Sequence, residues 1–156
     1  MQGEINIYRK LYNDLGKSPL EWYVWHGLRL PEHDNEYNPN GKTSCEIDFV
    51  IICEKGILAL EVKGGKISFT NNRFFYGIDD NEFGKGFDPF EQAQGYKFTL
   101  MRKVLNNKSF LYTSAVAFPH VDYNFENSVH DNELLWSGYN SGKSIYHQFR
   151  KKNDYW

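Results

Sequence analysis

Apolar positions recur along the chain first at helical and then at strand spacing. Near the start, GEINIYRKLYNDLGK carries Ile5, Tyr8, Leu11, Tyr12 and Leu15 on one helical stripe, with Glu4 in the first turn and Gly16 as the stop. This predicts an amphipathic helix. EWYVWHGLRL (21–30) is aromatic and β-branched and is closed by Pro31, which predicts a strand. A polar loop, residues 31–44, leads to two apolar strands at about 45–53 and 57–63. After Gly64-Gly65, KISFT and RFFYG read as a hairpin about Asn71-Asn72.

Residues 78–88 form a second polar loop, ending at a helix start. Asp88 is placed as N-cap, Pro89 at the first helical position and Glu91 where a capping box needs it. Ala93, Leu100, Met101 and Val104 make the stripe of this helix, which runs to about Leu105. FLYTSAVAFP (110–119) is the next strand, stopped by Pro119. Beyond it, residues 120–130 read as loop, NELLW as a short strand or turn, and SGKSIYHQFRKK as a final helix. The order predicts an α/β domain with a mixed central sheet flanked by helices.

Composition adds bounds. The chain has 156 residues, one domain's length, and 17% of them are aromatic, enough to build a core. A net charge of −2 leaves no global field for nucleic acid, so any such binding needs a local patch. No apolar run approaches the roughly 20 residues that span a bilayer, and MQGEINIYRK lacks the layout of a secretory signal. Cys45 and Cys53 end one strand, too far apart to bridge. They read as reduced thiols in a cytoplasmic protein with no membrane association.

The chemistry lies in EIDFVIICEKGILALEVKGG (46–65), where Asp48, Glu61 and Lys63 interrupt apolar strands. Strand alternation puts Glu61 and Lys63 on one face and Asp48 with Val50 and Ile52. A two-residue turn at Glu54-Lys55 sets 48 opposite 61; one at Lys55-Gly56 sets 48 opposite 63. Either register brings all three charges to one face. Two carboxylates so placed repel each other and need compensation, by Lys63 alone or by a hard divalent cation such as Mg²⁺. An internal salt bridge or a solvated sheet face is the bland account of an ExK pair. The acid in matching register upstream sets this one apart.

These residues resemble the PD-(D/E)xK nuclease superfamily and, more narrowly, the nuclease-related domain (NERD) family. The resemblance rests on Gly3-Glu4, EIDFV (46–50), GILALEVKGG (56–65), DPFEQA (88–93) and AFP (117–119), in the family's order. Ile47 stands where the superfamily has its proline, as in other NERD-like sequences. The resemblance implies a restriction-endonuclease-like core over 1–120, with 121–156 an extension of the same domain toward a fused helicase or kinase. It implies Asp48, Glu61 and Glu4 as ligands of Mg²⁺ or Mn²⁺, Lys63 positioning the attacking water, and Gln92 at the site or substrate. The implied activity is hydrolysis of phosphodiester bonds in DNA. The alternative is a nuclease-like module that binds nucleic acid or a partner protein without turnover.

Other signals carry less. GYNSGKS (138–144) is one residue short of a phosphate-binding loop, and no strand precedes it. The five histidines, His26, His33, His120, His130 and His147, are scattered, without the spacing of a zinc site. His120 follows Pro119 at a strand end, where it could approach a site, and is read first as a loop histidine. Arg102-Lys103 and Arg150-Lys151-Lys152 are solvated faces, or tracks for a nucleic-acid backbone.

Overall fold

A computed structural model describes residues 2–30, 45–70, 73–76, 88–120 and 134–137. Helix α1 (Gln2–Leu15) is followed by β1 (Tyr23–Leu30), β2 (Cys45–Cys53) and β3 (Gly56–Val62). Strands β4 (Ile67–Thr70) and β5 (Arg73–Tyr76) come next, then α2 (Pro89–Thr99), β6 (Tyr112–Phe118) and β7 (Leu134–Ser137). The order is the predicted one, and NELLW contributes a strand. The expected final helix, the loops at 31–44 and 78–87, most of that at 120–130, and the Cys45 side chain lie outside the described residues; Cys53 is a free, buried thiol.

Five strands form one mixed sheet in the order β1-β2-β3-β6-β7, antiparallel as far as β3 and parallel from β3 to β7. Strands β4 and β5 pair separately and antiparallel, with Thr70 opposite Arg73; the expected turn residues Asn71-Asn72 lie outside the described residues. Helix α1 covers one face of the sheet, burying Ile7, Leu11 and Leu15 against Phe49, Ile51, Leu58, Leu60 and Val62. Helix α2 covers the other, where Tyr96 and Leu100 meet Val50, Ile57 and Ala59. Phe90 and Ala93 join Phe74, Val116 and Phe118 in an adjoining aromatic cluster. The result is the α/β arrangement of a nuclease-like core.

Both helical stripes differ from expectation. In α1 the buried row is Gly3, Ile7, Leu11 and Leu15, while Ile5, Tyr8 and Tyr12 are exposed. A four-residue step with small Gly3 at its head lets the helix lie close: a Cβ on Gly3 would stand 3.0 Å from Pro119 and 3.4 Å from the Gly64 backbone. In α2 the Asp88 carboxylate caps as predicted, accepting the amides of Phe90 (2.8 Å) and Glu91 (3.2 Å). From Leu100 to Val104 the helix widens into a π turn, in which the Leu105 amide reaches the Leu100 carbonyl at 3.1 Å. The extra residue in the turn rotates Val104 out of the stripe, leaving it exposed.

Strands β2 and β3 join at Glu54-Lys55, with Cys53 opposite Gly56, the first of the two registers considered. Gly56 is required there. Its φ is +144°, and a Cβ would fall 2.4 Å from the Leu111 carbonyl oxygen, which already accepts the Ile57 amide at 2.8 Å. Gly56→Ala is expected to cost about 2 kcal/mol, read as a fall in Tm of about 4–8 °C. An unchanged melting curve would contradict this packing.

Candidate functional site

The site forms where β2 stops being regular. Its pairing with β3 ends at Phe49–Leu60, and its pairing with β1 skips Gly27, the position opposite Asp48. Gly27 has a φ of +66°, so β1 bends at the same level. Ile47 and Phe49, which alternation would put together, lie in cores on opposite sides of the sheet. The side chain between them therefore points along the sheet, toward β3. Asp48 Oδ2 accepts the Val62 amide at 2.7 Å, taking a place that a backbone carbonyl would fill in a continuing ladder. Simple alternation had put Asp48 on the face of Val50 and Ile52; the bend brings it to Glu61 and Lys63 by another route.

Glu61 is buried, at 4% exposure, on the row that Ile57 and Ala59 begin. One oxygen, Oε1, pairs with Lys63 Nζ at 2.5 Å, and the other, Oε2, is buried without a hydrogen-bond partner. Loss of water pushes the Glu61 carboxyl up to about 7, with Lys63 opposing the rise and Asp48 and Glu4 adding to it. Burial also raises Asp48, against the Val62 hydrogen bond. Lys63 follows β3, fixed by its amide on the Ala117 carbonyl at 2.9 Å.

Glu4 comes from the first turn of α1, set in place by the close approach at Gly3. His26 Nε2 lies 2.9 Å from Glu4 Oε2, and this hydrogen bond holds the Glu4 carboxyl below its ordinary value. Gln92 stands apart. Its amide donates to the Tyr96 hydroxyl one turn on, and no hydrogen bond joins it to the acids. A depression of about 330 Å³ beside Glu4 is lined by Gly3, Val62, Gly64, Gly65 and His120. His26 is the residue that sequence reasoning passed over, whereas His120 is noted there as able to approach a site. His120 directly follows the AFP segment, which gave some signal; His26 gave none, because nothing in the sequence fixes β1 against α1.

With this geometry in hand, comparison with known proteins is decisive on one point. Residues 1–119 match the family model of the nuclease-related domain. The chain belongs to the nuclease-related domain family. No curated protein and no solved structure matches it. In this nuclease-related domain the donors are carboxylate oxygens, suited to a hard divalent cation, and the unpartnered Glu61 Oε2 fits such an ion. Among the described residues no three His, Cys, Asp or Glu side chains are gathered closely enough to hold one as they stand.

The raised Glu61 carboxyl makes stability depend on pH. Because the folded chain holds this proton more tightly than the unfolded one, Glu61's contribution to stability is full below about pH 4.5. It falls as pH rises toward 7, by about 3 kcal/mol in all. Glu61→Gln removes the titration. Relative to wild type, the variant is expected to gain about 2 kcal/mol on going from pH 5 to pH 8, measured by urea unfolding without divalent ions. Parallel pH profiles for the two proteins would contradict the burial of an ionisable Glu61.

Proposed function

We propose that this nuclease-related domain hydrolyses phosphodiester bonds of DNA with Mg²⁺ (Mn²⁺ substituting), as the nuclease module of a larger DNA-processing or defence protein carrying a helicase or kinase. The observation that carries this reading is the buried Glu61 carboxylate, with Lys63 on one oxygen and nothing on the other, beside Asp48. A structural salt bridge alone would leave neither an orphaned oxygen nor a second acid to repel it.

In this reading Asp48 and Glu61 hold the cation, and Glu4 joins them from α1. A bound Mg²⁺ supplies charge stabilisation at the phosphodiester and lowers the pKa of water. Lys63, fixed beside Glu61 Oε1, orients the attacking water and screens the charge that builds on the phosphate oxygens. Gln92 acts on the substrate from the first turn of α2, whose N-terminus favours an anionic phosphate. Attack by the water oxygen forms one P–O bond as the ester P–O bond breaks, and the released sugar oxygen takes up a proton.

A second reading is a nuclease-like module that binds nucleic acid or a partner protein without turnover. The loose spacing of the acids among the described residues favours it. Plasmid and linear DNA, with RNA alongside, distinguish the two readings. Wild type is expected to cleave DNA with Mg²⁺ or Mn²⁺ and not with EDTA, and Asp48→Asn and Lys63→Ala to lose about 100-fold or more in rate. Equal cleavage by all three proteins rejects these roles. Binding without cleavage under every condition supports the second reading.

A further inference from the structure

The depression beside the acids is lined by three residues without side chains, Gly3, Gly64 and Gly65, together with Val62 and His120. Packing accounts for Gly3, whose Cβ would crowd Pro119, and a φ of +94° accounts for Gly65. Neither reason applies to Gly64. It is not among the residues of positive φ, and a Cβ there would stand at ordinary distances, 3.6 Å from His120 Nδ1 and 3.8 Å from Gly3 Cα. What glycine does at this position is keep the floor open. Glycines so placed let a ligand come close to the backbone.

His120 faces the same space, and its hydrogen bonding is incomplete. The Gly65 amide donates to Nδ1 at 3.4 Å, so the neutral ring carries its proton on Nε2. Yet Nε2 lies 3.4 Å from the Asn6 amide nitrogen, a second donor, because the Asn6 oxygen accepts from Gln2 at 3.1 Å. Both neighbours of the ring are donors, and a neutral imidazole has one acceptor nitrogen. The exposed Nε2–H therefore calls for an acceptor from outside, and an anionic oxygen is the strongest kind. The acid at the rim does not forbid one. Glu4 is hydrogen-bonded by His26 and by the N-terminal amine, which balance its charge. Lys63 and the exposed Lys66 bracket the Gly64-Gly65 pair in sequence.

We propose that this depression receives the sugar–phosphate backbone of DNA next to the point of cleavage, with His120 Nε2–H donating to a phosphate oxygen over the floor at Gly64. This rests on the reading of the domain as acting on DNA, but it needs no metal, since every group it invokes belongs to the chain. Contacts of this kind position a strand without reading its sequence.

The test is equilibrium binding of fluorescein-labelled DNA oligonucleotides of two unrelated sequences, by anisotropy in EDTA. His120→Ala is expected to weaken binding about tenfold, equally for both sequences. His120→Gln carries an amide N–H at nearly the reach of Nε2 and is expected to stay within about threefold of wild type. Gly64→Ala is expected to weaken binding while its Tm stays level or rises, as for a glycine the fold does not need. Equal affinity for wild type and His120→Ala overturns the proposal and leaves the DNA-acting reading standing. So does an equal loss in the alanine and glutamine variants, because the donor is then not what matters. Wild-type affinity in Gly64→Ala also overturns it, by showing that no strand reaches the floor. If wild type binds neither oligonucleotide in EDTA, this proposal fails, whereas the nuclease reading is judged separately by cleavage with Mg²⁺.

Discussion

One hydrogen bond, from the Val62 amide to the Asp48 carboxylate, organises the functional end of this molecule. It ends the β2–β3 ladder at Phe49–Leu60 without leaving the Val62 amide unsatisfied, a defect that costs about 1–3 kcal/mol when buried. Because a side chain rather than a carbonyl closes the ladder, β2 is free to bend. The bend carries Ile47 into the α2 side of the core while Phe49 stays on the α1 side. It needs a matching bend in β1, which Gly27 supplies. The same bond holds a partly buried acid beside Glu61, so that the sheet's irregularity and its charge density have one origin.

That charge density is held against its own cost by the surrounding fold. Phe49, Leu58 and Leu60 on one face and Val50, Ile57 and Ala59 on the other fix the strands that carry the acids. Glu61 is dry enough for its carboxyl to rise to about 7 even with Lys63 alongside. Desolvation therefore outweighs the ion pair, as is common for charges buried in a core. Glu61 Oε2 keeps an unmet demand for positive charge that a divalent cation would answer. Helix α1 closes the arrangement from outside, with Gly3 allowing the approach and Glu4 following it in sequence.

Much of this was legible in the residues. Turn and cap chemistry gave the element order, the Asp88 cap and the hairpin, because Gly, Pro, Asn and Asp act locally. The turn at Glu54-Lys55 could be narrowed to two registers, and the observed one is among them. What failed did so for non-local reasons. Tyr8 and Tyr12 look apolar on a helical wheel, yet α1 buries the row of its smaller neighbour Gly3, chosen by the fit to Pro119 and Gly64. Strict alternation cannot foresee that Asp48 turns into the sheet plane, since the donor it accepts from, the Val62 amide, is fourteen residues away. The link from His26 to Glu4 depends on how β1 sits against α1, which no local pattern encodes. Gln92 donates its amide to the Tyr96 hydroxyl one turn on, a contact that helical spacing allows but does not require.

The proposed cation site stands on a buried Glu61 whose carboxyl resists ionisation up to about pH 7. Carboxyl ¹³C chemical shifts of Glu61, followed by NMR across pH with and without Mg²⁺, measure this at the atom concerned. The account predicts a midpoint near 7 without metal, moving well down in the acid direction once Mg²⁺ is added. A midpoint near 4.5 that Mg²⁺ leaves unmoved would mean an ordinary solvated carboxylate, and would contradict it.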